Sequence, residues 1–264
     1  MENHEGANSA YSRILKETLG IRTEPIAVKL IKESGQLPQD AIYPRRDLGS
    51  GMAICQAFAL VRRERKTIYC DKTSERCWCP LVAFGLCECG EDSGAFEIMM
   101  SINRRNDREA TKRFLDNLPK LPLGTCTGVL LSPLCSSAFE PDVTLIYCDN
   151  NSQLRGALLA IKNATGSVVK TQLDAIDSCA FSCVAVIKSG EYRVTIPDIG
   201  EHERANADEC EIILSVPQGK LGELTNALLS LEKSGMGYAN WKRIMDLDFQ
   251  RPPFYDELFN FWGL

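Results

Sequence analysis

A short motif that occurs twice constrains the fold of this chain more than any other feature. Residues 24–31 read as a β-branched strand that follows a proline, and residues 140–147 have the same form 116 positions later (140 minus 24). Runs of this length and composition are typical of strands. A helical pattern of apolar residues follows each run, at 52–66 and 154–163. The chain is therefore predicted to contain two related segments in which strands and helices alternate.

A second alignment extends this repeat with a shift of 100 residues. It places Cys79 on Cys179 (179 minus 79), and each of these cysteines opens an apolar helix. The other predicted elements are strands at 67–70 and 167–170, strands at 96–102 and 210–216, and amphipathic helices at 107–117 and 220–233. The change of shift by 16 residues (116 minus 100) places an insertion at 33–44. Chance alignment of short apolar runs is the alternative explanation.

The predicted fold class is α/β (α+β), with two tandem, pseudo-symmetric β-α-β-α-β-α halves packed together. A single mixed sheet is one form that the core of such a protein takes. The predicted organisation is an N-terminal tail and helix at 1–22, a first repeat at 23–122, a link at 123–139, a second repeat at 140–238 and an aromatic tail at 239–264. The link includes the apolar stretch 128–134.

Composition narrows the classes of function. The chain has 44% hydrophobic and 25% charged residues, as ordinary globular proteins do. Its net charge of -5 argues against a nucleic-acid partner, because phosphate binding needs a basic surface. No apolar run is long enough to predict a membrane span. The N-terminal residues lack the basic and apolar regions of a secretory signal, so we expect the chain to stay in the cytoplasm, where thiols are kept reduced.

Twelve cysteines and two histidines make sulfur the main candidate for chemistry. In a reducing compartment, cysteines point to metal binding or redox chemistry before structural disulfides. His4 belongs to the polar N-terminal tail, which leaves His202 alone and excludes zinc sites that need two or three imidazoles. Any metal would therefore be held mainly by sulfur.

Two cysteines are predicted to lie at helix starts. Cys79 directly precedes Pro80, and proline favours the first turn of a helix, where the helix dipole favours a thiolate. Cys179 is predicted to lie in the same way in the second half. If the halves pack about a pseudo-twofold axis, the two helix starts would converge.

Three further residues complete the candidate site. Cys55 lies on the opening helix of the first half, and its counterpart in the second half is Arg155, which would supply a cation close to the sulfurs. Cys183 follows Cys179 by four residues and so shares one helical face with it. The candidate metal ligands are therefore Cys55, Cys79, Cys179 and Cys183, with Arg155 as a cofactor-binding residue.

Thiolates on rigid elements match an iron–sulfur cluster, which four cysteines usually hold, and they match zinc equally well. The spacing does not decide between these groups, because the chain contains neither a ferredoxin-type run nor a zinc-ribbon pair. Two C-x-C pairs, at 77–79 and 87–89, could bind a metal through both sulfurs. Other cysteines lie in apolar or strand-like stretches where core packing is the alternative: Cys126, Cys135, Cys148 and Cys210.

The order of these motifs resembles a known family, the Domain of Unknown Function family numbered 169, also labelled uncharacterised ArCR. The motifs that carry the resemblance are E-P-I-A-V-K-L at 24–30, Cys55 on a helix, C-P-L-V-A-F-G-L at 79–86, F-E-P-D-V at 139–143, D-S-C-A at 177–180 and S-V-P at 215–217. The resemblance covers roughly residues 10–240. It implies that Cys55, Cys79 and Cys179 are the recurring cysteines, and it implies no activity.

The leading hypothesis is a cytoplasmic iron–sulfur protein with a cluster, expected as 4Fe-4S, between the two halves. Cys55, Cys79 and Cys179 would hold it, and the fourth ligand would be Cys183 or an exogenous group. Its role would be electron transfer to a redox partner protein, redox sensing or chemistry on a small-molecule ligand. The alternatives are a non-enzymatic zinc- or ligand-binding module that uses the same cysteines, and a metal-free thiol or sulfur-transfer protein that acts through Cys79.

The C-terminal segment 241–264 is dense in aromatic residues. Aromatic side chains at this density can dock on a partner or on another copy of the chain, which predicts a possible homo-oligomer. Packing against the chain's own core is the alternative. No glycine-rich phosphate-binding loop is present, so nucleotide binding of the common kinds is not expected.

Overall fold

The computed structural model describes residues 4–33, 37–102, 107–241 and 252–263. A six-stranded sheet with the order β2-β3-β1-β4-β6-β5 forms the centre of the fold, and all its neighbouring strands are antiparallel. The strands are β1 (Ile26–Ile31), β2 (Ile68–Asp71), β3 (Gly128–Pro133), β4 (Val143–Cys148), β5 (Arg193–Thr195) and β6 (Ile212–Pro217). The mixed α/β class predicted from the sequence is confirmed.

Helices cover both faces of this sheet. In chain order they are α1 (His4–Leu19), α2 (Pro44–Asp47), α3 (Ile54–Glu64), α4 (Trp78–Ala83), α5 (Gly94–Ile102), α6 (Arg108–Asn117), α7 (Asn151–Thr165), α8 (Ala185–Ser189), α9 (Ile199–Ala205), α10 (Leu221–Lys233) and α11 (Phe254–Trp262). A π-helical segment, Ala180–Val184, leads directly into α8. Among the described helices, none combines the length and the apolar character needed to cross a membrane.

Strand alternation divides the core into two layers. Val28, Leu145 and Ile213 point to one side of the sheet, where α3, α4, α6 and the π-helical segment pack. Ala27, Ile146 and Leu214 point to the other side, which α1, α7 and α10 cover. We call these sides the sulfur face and the opposite face, because their buried cysteines differ. The sulfur face holds Cys70, Cys79, Cys89, Cys126, Cys179 and Cys183, and the opposite face holds Cys148.

The strand order is symmetric about the central pair, since β1 and β4 are flanked by β3 and β6 and then by β2 and β5. The faces do not follow this symmetry. The shift of 116 residues aligns Val28 with Thr144. Val28 points to the sulfur face, whereas Thr144 points away from it, because its neighbours Val143 and Leu145 point to the sulfur face. Accordingly, α3 packs on one face and α7 on the other. Duplication of the chain stays a prediction, but the helices after β1 and β4 are not equivalent.

Two predicted strands were wrong, and one stretch without a predicted element forms a strand. Residues 96–102 belong to α5 and not to a strand, because one side alone is buried, with Phe96 covered and Ile98 exposed. The apolar stretch assigned to the link forms β3, whose six residues are all buried between β1 and β2. Residues 167–170 form no strand, since Val168 is exposed, and the edge strand β5 comes after Cys179 instead.

Candidate functional site

Four cysteines line one small cleft on the sulfur face. The cleft has a volume of about 160 Å³, and its sulfur-bearing residues are Cys55, Cys77, Cys79 and Cys179. We call it the cysteine cleft. Three charged residues also line it, Asp177, Asp198 and Arg204. These seven residues come from four separate parts of the chain, so the site exists only in the folded protein.

Local structure sets the direction of each sulfur. Cys55 lies in the first turn of α3, and Cys77 caps the N-terminus of α4 with an extended backbone. Cys79 follows in the first turn of α4, next to Pro80, as the proline predicts. Cys179 is the residue directly before the π-helical segment. Single π-helical turns are rare and occur frequently at functional sites.

The closest approach in the cleft is between Cys79 and Cys179. Their Sγ atoms are 3.6 Å apart although the residues are 100 positions apart in the chain. Both side chains are buried. In the described part of the chain, no group of three or more His, Cys, Asp and Glu residues is arranged to hold a metal ion. The structure therefore brings together one sulfur pair, with two further sulfurs on the walls of the same cleft.

The surroundings of these thiols favour the neutral form. The hydrogen bond with Cys179, followed by burial, raises the pKa of Cys79 well above its usual value. The hydrogen bond from Cys79 lowers the pKa of Cys179, but burial and the nearby Cys77, Asp198 and Asp177 together outweigh it, and the net shift is upward. Burial also raises the pKa of Cys55. The expectation that helix dipoles favour thiolates here stays a prediction, and two features oppose it: α4 has only six residues, and the net pKa shifts of Cys79 and Cys179 are both upward.

Arg204 of α9 brings a positive charge to the cleft. Burial raises the pKa of Cys77, while a hydrogen bond from the Cys79 backbone and the Arg204 guanidinium lower it. Gly200 gives the guanidinium room, since a Cβ atom at this position would lie 3.3 Å from Nη2 of Arg204. The net shift of the Cys77 pKa is upward, and Arg204 is the cation that opposes it.

A buried hydrogen-bond network fixes the segment that carries Cys179. Ser178 donates from its hydroxyl to Glu201 at 2.9 Å and from its backbone N–H to Asp198 at 2.9 Å. Tyr147 of β4 donates to the same carboxylate of Glu201. Burial raises the pKa of Glu201 to about 7. Asp177, which precedes this segment, has a left-handed backbone with φ of 66°, a conformation uncommon outside glycine.

Two predicted site residues lie outside the cleft. Arg155 is exposed on α7, on the opposite face, and its guanidinium is 6.0 Å from the ring of Trp241. The prediction that Arg155 lies beside the sulfurs was wrong. It aligned α7 with α3, but these two helices pack on opposite faces of the sheet. Cys183 is fully buried in the π-helical segment and does not line the cleft. The hydroxyl of Ser182 lies 3.8 Å from its sulfur.

Sequence reasoning undervalued two residues that do line the cleft. Cys77 was a weak candidate, although the C-x-C pair with Cys79 was a usable signal. Arg204 was not singled out at all, since it lies in a charged segment that reads as solvent-exposed. Only the packing of α9 against α3 brings that segment to the cleft. No pattern within the segment itself could have revealed this contact.

Comparison with known proteins defines the family of the chain and no activity. No curated protein and no solved structure matches it. The model of the Domain of Unknown Function 169 family, described as uncharacterised ArCR, matches residues 14–227. This range contains all four cysteines of the cleft and Arg204. The resemblance seen in the sequence is thereby confirmed, and the chain belongs to the uncharacterised ArCR family.

Proposed function

We propose that the protein holds a sulfur-ligated metal centre in the cysteine cleft. Cys79 and Cys179 would bind one metal ion together, and Cys55 and Cys77 would complete the ligand set. An iron–sulfur cluster is the first form of this centre, and zinc is the alternative. The single observation that supports the proposal is the distance of 3.6 Å between two sulfurs from distant parts of the chain.

The sulfur distance suits two ligands on one ion. Tetrahedral thiolates at about 2.3 Å from a metal have sulfurs about 3.8 Å apart. In a 4Fe-4S cluster each iron takes one protein sulfur, so two ligands are separated by the cluster itself. In a 2Fe-2S cluster, four cysteines bind two irons as two pairs. The distance therefore favours a 2Fe-2S cluster or zinc over the 4Fe-4S cluster expected from the sequence.

The charges in the cleft favour a metal over free thiolate chemistry. Nucleophilic cysteines act as thiolates, whereas the pKa of Cys55, Cys79 and Cys179 is raised, by burial for Cys55 and by the mutual hydrogen bond and then burial for Cys79. Metal binding displaces such protons and stabilises the sulfur anions. Arg204 would offset part of the negative charge of a four-thiolate site. Cys183 drops out of this ligand set, and Cys77 takes its place.

An iron–sulfur cluster in the cysteine cleft would give the protein a redox role. When bound, an iron–sulfur cluster supplies one-electron transfer at a potential that burial and hydrogen bonds adjust. Electron transfer to a partner protein, redox sensing and chemistry on a small ligand are the three roles that we propose. A reducing cytoplasm is the compartment that fits, since all twelve cysteines are free thiols. Association of copies through the aromatic segment is a separate proposal that does not depend on the metal centre.

Metal and sulfide analysis of protein purified without oxygen tests the proposal. We expect iron and acid-labile sulfide in equal amounts with visible absorption, and an electron paramagnetic resonance signal after reduction that distinguishes 2Fe-2S from 4Fe-4S. Stoichiometric zinc without colour would support the alternative. Protein from reducing cells that contains neither metal in stoichiometric amount would overturn the proposal.

Matched variants locate the centre. Cys79→Ser and Cys179→Ser should each lose most of the bound metal, and Cys77→Ser should lose part of it. Cys183→Ala is the control for a buried sulfur outside the cleft, and Cys210→Ser is the control for an exposed one. Both controls should keep the metal content of the unmodified protein. Loss of metal in Cys183→Ala with an intact fold would return this residue to the ligand set.

A metal-free dithiol is the second candidate function, and the same sulfur pair favours it. Cys79 and Cys179 are close enough for a small movement to form a disulfide, for which Sγ atoms approach to about 2.05 Å. A small-molecule disulfide would oxidise the two thiols, and it would leave as two thiols that carry both protons and both electrons. Mass spectrometry of metal-free protein would then show the loss of two hydrogen atoms, and Cys79→Ser would prevent it.

A further inference from the structure

One buried carboxylate connects the two segments that carry three of the four sulfurs of the cysteine cleft. Glu75 is buried and lies in the loop between β2 and α4. Its Oε1 accepts hydrogen bonds from the backbone N–H groups of Arg76 and Cys77, both at 2.8 Å. The backbone N–H of Ile54 also donates to this carboxylate. Glu75 therefore contacts the starts of both α3 and α4.

Both helix starts lack a capping side chain of their own. Ala53 and Cys77 are the N-cap residues of α3 and α4, and neither makes a side-chain cap hydrogen bond. The first backbone N–H groups of a helix have no partner within the helix, so an acceptor must come from elsewhere. A buried N–H group without an acceptor would be destabilising. Glu75 supplies one acceptor group for both helices, which explains a buried carboxylate at this position.

The backbones of the two segments also lie against each other at this point. The N–H of Met52 donates to the carbonyl oxygen of Ser74 at 2.9 Å, and the N–H of Arg76 donates to the carbonyl oxygen of Met52 at 3.2 Å. Gly51 allows this close approach, because a Cβ atom there would overlap the carbonyl oxygen of Ser74. These backbone contacts and the Glu75 carboxylate together fix the start of α3 relative to the start of α4.

We propose that Glu75 is a positioning residue of the cysteine cleft, a role that rests on the proposed function of these sulfurs. Its carboxylate sets the distance between Cys55 on α3 and the pair Cys77 and Cys79 on α4. It acts through its reach and not through its charge, because the donors that it meets are neutral N–H groups. Cys179 comes from a third segment, which α9 and its N-cap residue hold by separate hydrogen bonds. The sulfurs of Cys79 and Cys179 therefore keep their distance of 3.6 Å only while α4 is held in place.

Two conservative variants separate reach from charge. Glu75→Gln keeps a carbonyl oxygen at the same distance from the backbone and removes the charge, whereas Glu75→Asp keeps the charge and shortens the side chain by one methylene group. In metal-free protein, oxidised glutathione accepts two electrons and two protons from Cys79 and Cys179 and leaves as two molecules of reduced glutathione. Mass spectrometry of the linked peptides at equilibrium gives the effective concentration of the two thiols. We expect Glu75→Asp to lower it about tenfold and Glu75→Gln to change it by less than about twofold.

Two control variants exclude general effects on the fold. Leu224→Ala is the control for stability, since it removes packing on the opposite face, away from the cysteine cleft. Glu88→Asp is the control for the shortened side chain, because Glu88 is an exposed glutamate in the loop after α4. Both controls should leave the effective concentration of the folded protein unchanged.

Three outcomes would overturn the positioning role. Equal values for both Glu75 variants and the unmodified protein would show that the carboxylate does not control the sulfurs. A decrease in Glu75→Gln as large as that in Glu75→Asp would assign the effect to charge. An unmodified protein that forms no disulfide between Cys79 and Cys179 would show that the two sulfurs are not held together. Iron and zinc are measured on the same proteins before metal removal, and their absence from all of them would contradict the metal centre alone, since the disulfide equilibrium still reports on Glu75.

Discussion

The two faces of the sheet bury comparable apolar cores but differ in what they add to them. The opposite face is covered by long amphipathic helices, α1, α7 and α10, whose buried apolar residues are aliphatic and lie beside a few buried polar ones such as Ser12 and Thr225. The sulfur face is covered by shorter helices and a π-helical segment, and it buries six of the cysteines together with a polar network. We therefore expect apolar packing on the opposite face to supply most of the folding stability, and the sulfur face to supply the groups for chemistry.

The polar network gives the sulfur face its particular physics. Arg62 of α3 pairs with Glu211 and lies 4.1 Å from the ring centroid of Tyr147. The hydroxyl of Tyr147 reaches Glu201, which also holds Ser178 beside Cys179. Buried polar groups are tolerated only when they are paired, so each member depends on the others. This face should therefore be the more sensitive of the two to loss of a single charge.

Glu211→Gln is expected to have the largest effect on stability. It leaves the guanidinium of Arg62, whose side chain is 1% exposed, buried without its counter-charge. Breaking a buried ion pair in this way costs about 3–5 kcal/mol of unfolding free energy, measurable by urea denaturation. Glu97→Gln is the matched control, because the ion pair of Glu97 with Arg108 is exposed. Equal and small effects of both changes would remove the proposed difference between the faces.

Leu224→Ala tests the opposite face through packing. Leu224 is fully buried in α10, and its truncation leaves a cavity that should lower the unfolding free energy by about 3 kcal/mol. We expect the metal content and visible spectrum of the folded variant to stay unchanged, because the sheet separates Leu224 from the cysteine cleft. A proportional loss of metal from the folded protein would show instead that the two layers act as one unit.

Sequence patterns were sufficient where local structure decides the outcome. The strand predicted at 140–147 is present as β4. The helix that follows it, α7, is capped by Asn150, whose side chain accepts hydrogen bonds from the backbone N–H groups of Ser152 and Gln153. The strand predicted at 96–102 was wrong, because a short apolar run shows neither the period of a helix nor that of a strand clearly. Only the burial of one side in the folded protein favours the helix. The stretch 128–133 could not be placed, since its partners β1 and β2 lie far away in the chain.

The candidate site was predictable only in part, for a related reason. Equivalent positions before apolar helices pointed to Cys79 and Cys179, and both positions reach one cleft because their helices pack on the same face. Arg155 was inferred from an equivalence that fails, since α7 lies on the other face from α3. Arg204 depends on the packing of α9, which follows the edge strand β5. Residues brought in by tertiary packing carry no local signal.

The two faces should respond to pH in opposite directions. Burial raises the pKa of Glu201 to about 7 on the sulfur face, above its ordinary value of 4.5. Its contribution to stability is complete below pH 4.5 and is lost as the pH rises through 7. For metal-free protein we expect a decrease of about 2–3 kcal/mol over this range. Glu201→Gln should remove the part that Glu201 contributes, and burial raises the pKa of Glu75 to the same value of about 7, so a decrease of similar size should remain.

Glu24, which contacts α1, provides the comparison. Burial raises the pKa of Glu24, but hydrogen bonds from Ser12 and Lys16 outweigh it, and the net shift is downward. Its contribution is therefore present above the ordinary pKa of 4.5 and is lost as the pH falls below that value. Glu24→Gln should flatten the acid side of the stability curve and leave the neutral side unchanged. Identical curves for Glu24→Gln and Glu201→Gln would contradict the assignment of opposite signs.

The smallest expected effect is on the reactivity of one thiol. Arg204→Gln removes the charge and the hydrogen bond that lower the pKa of Cys77, so alkylation of Cys77 in metal-free protein at neutral pH should slow several-fold. Mass spectrometry of the modified peptide measures this rate, with the exposed Cys210 as an internal reference. Arg155→Gln, the same change on the opposite face, should leave the rate unaltered. If both variants slow the alkylation of Cys77 equally, the change in rate comes from the net charge of the protein and not from a contact between Arg204 and Cys77.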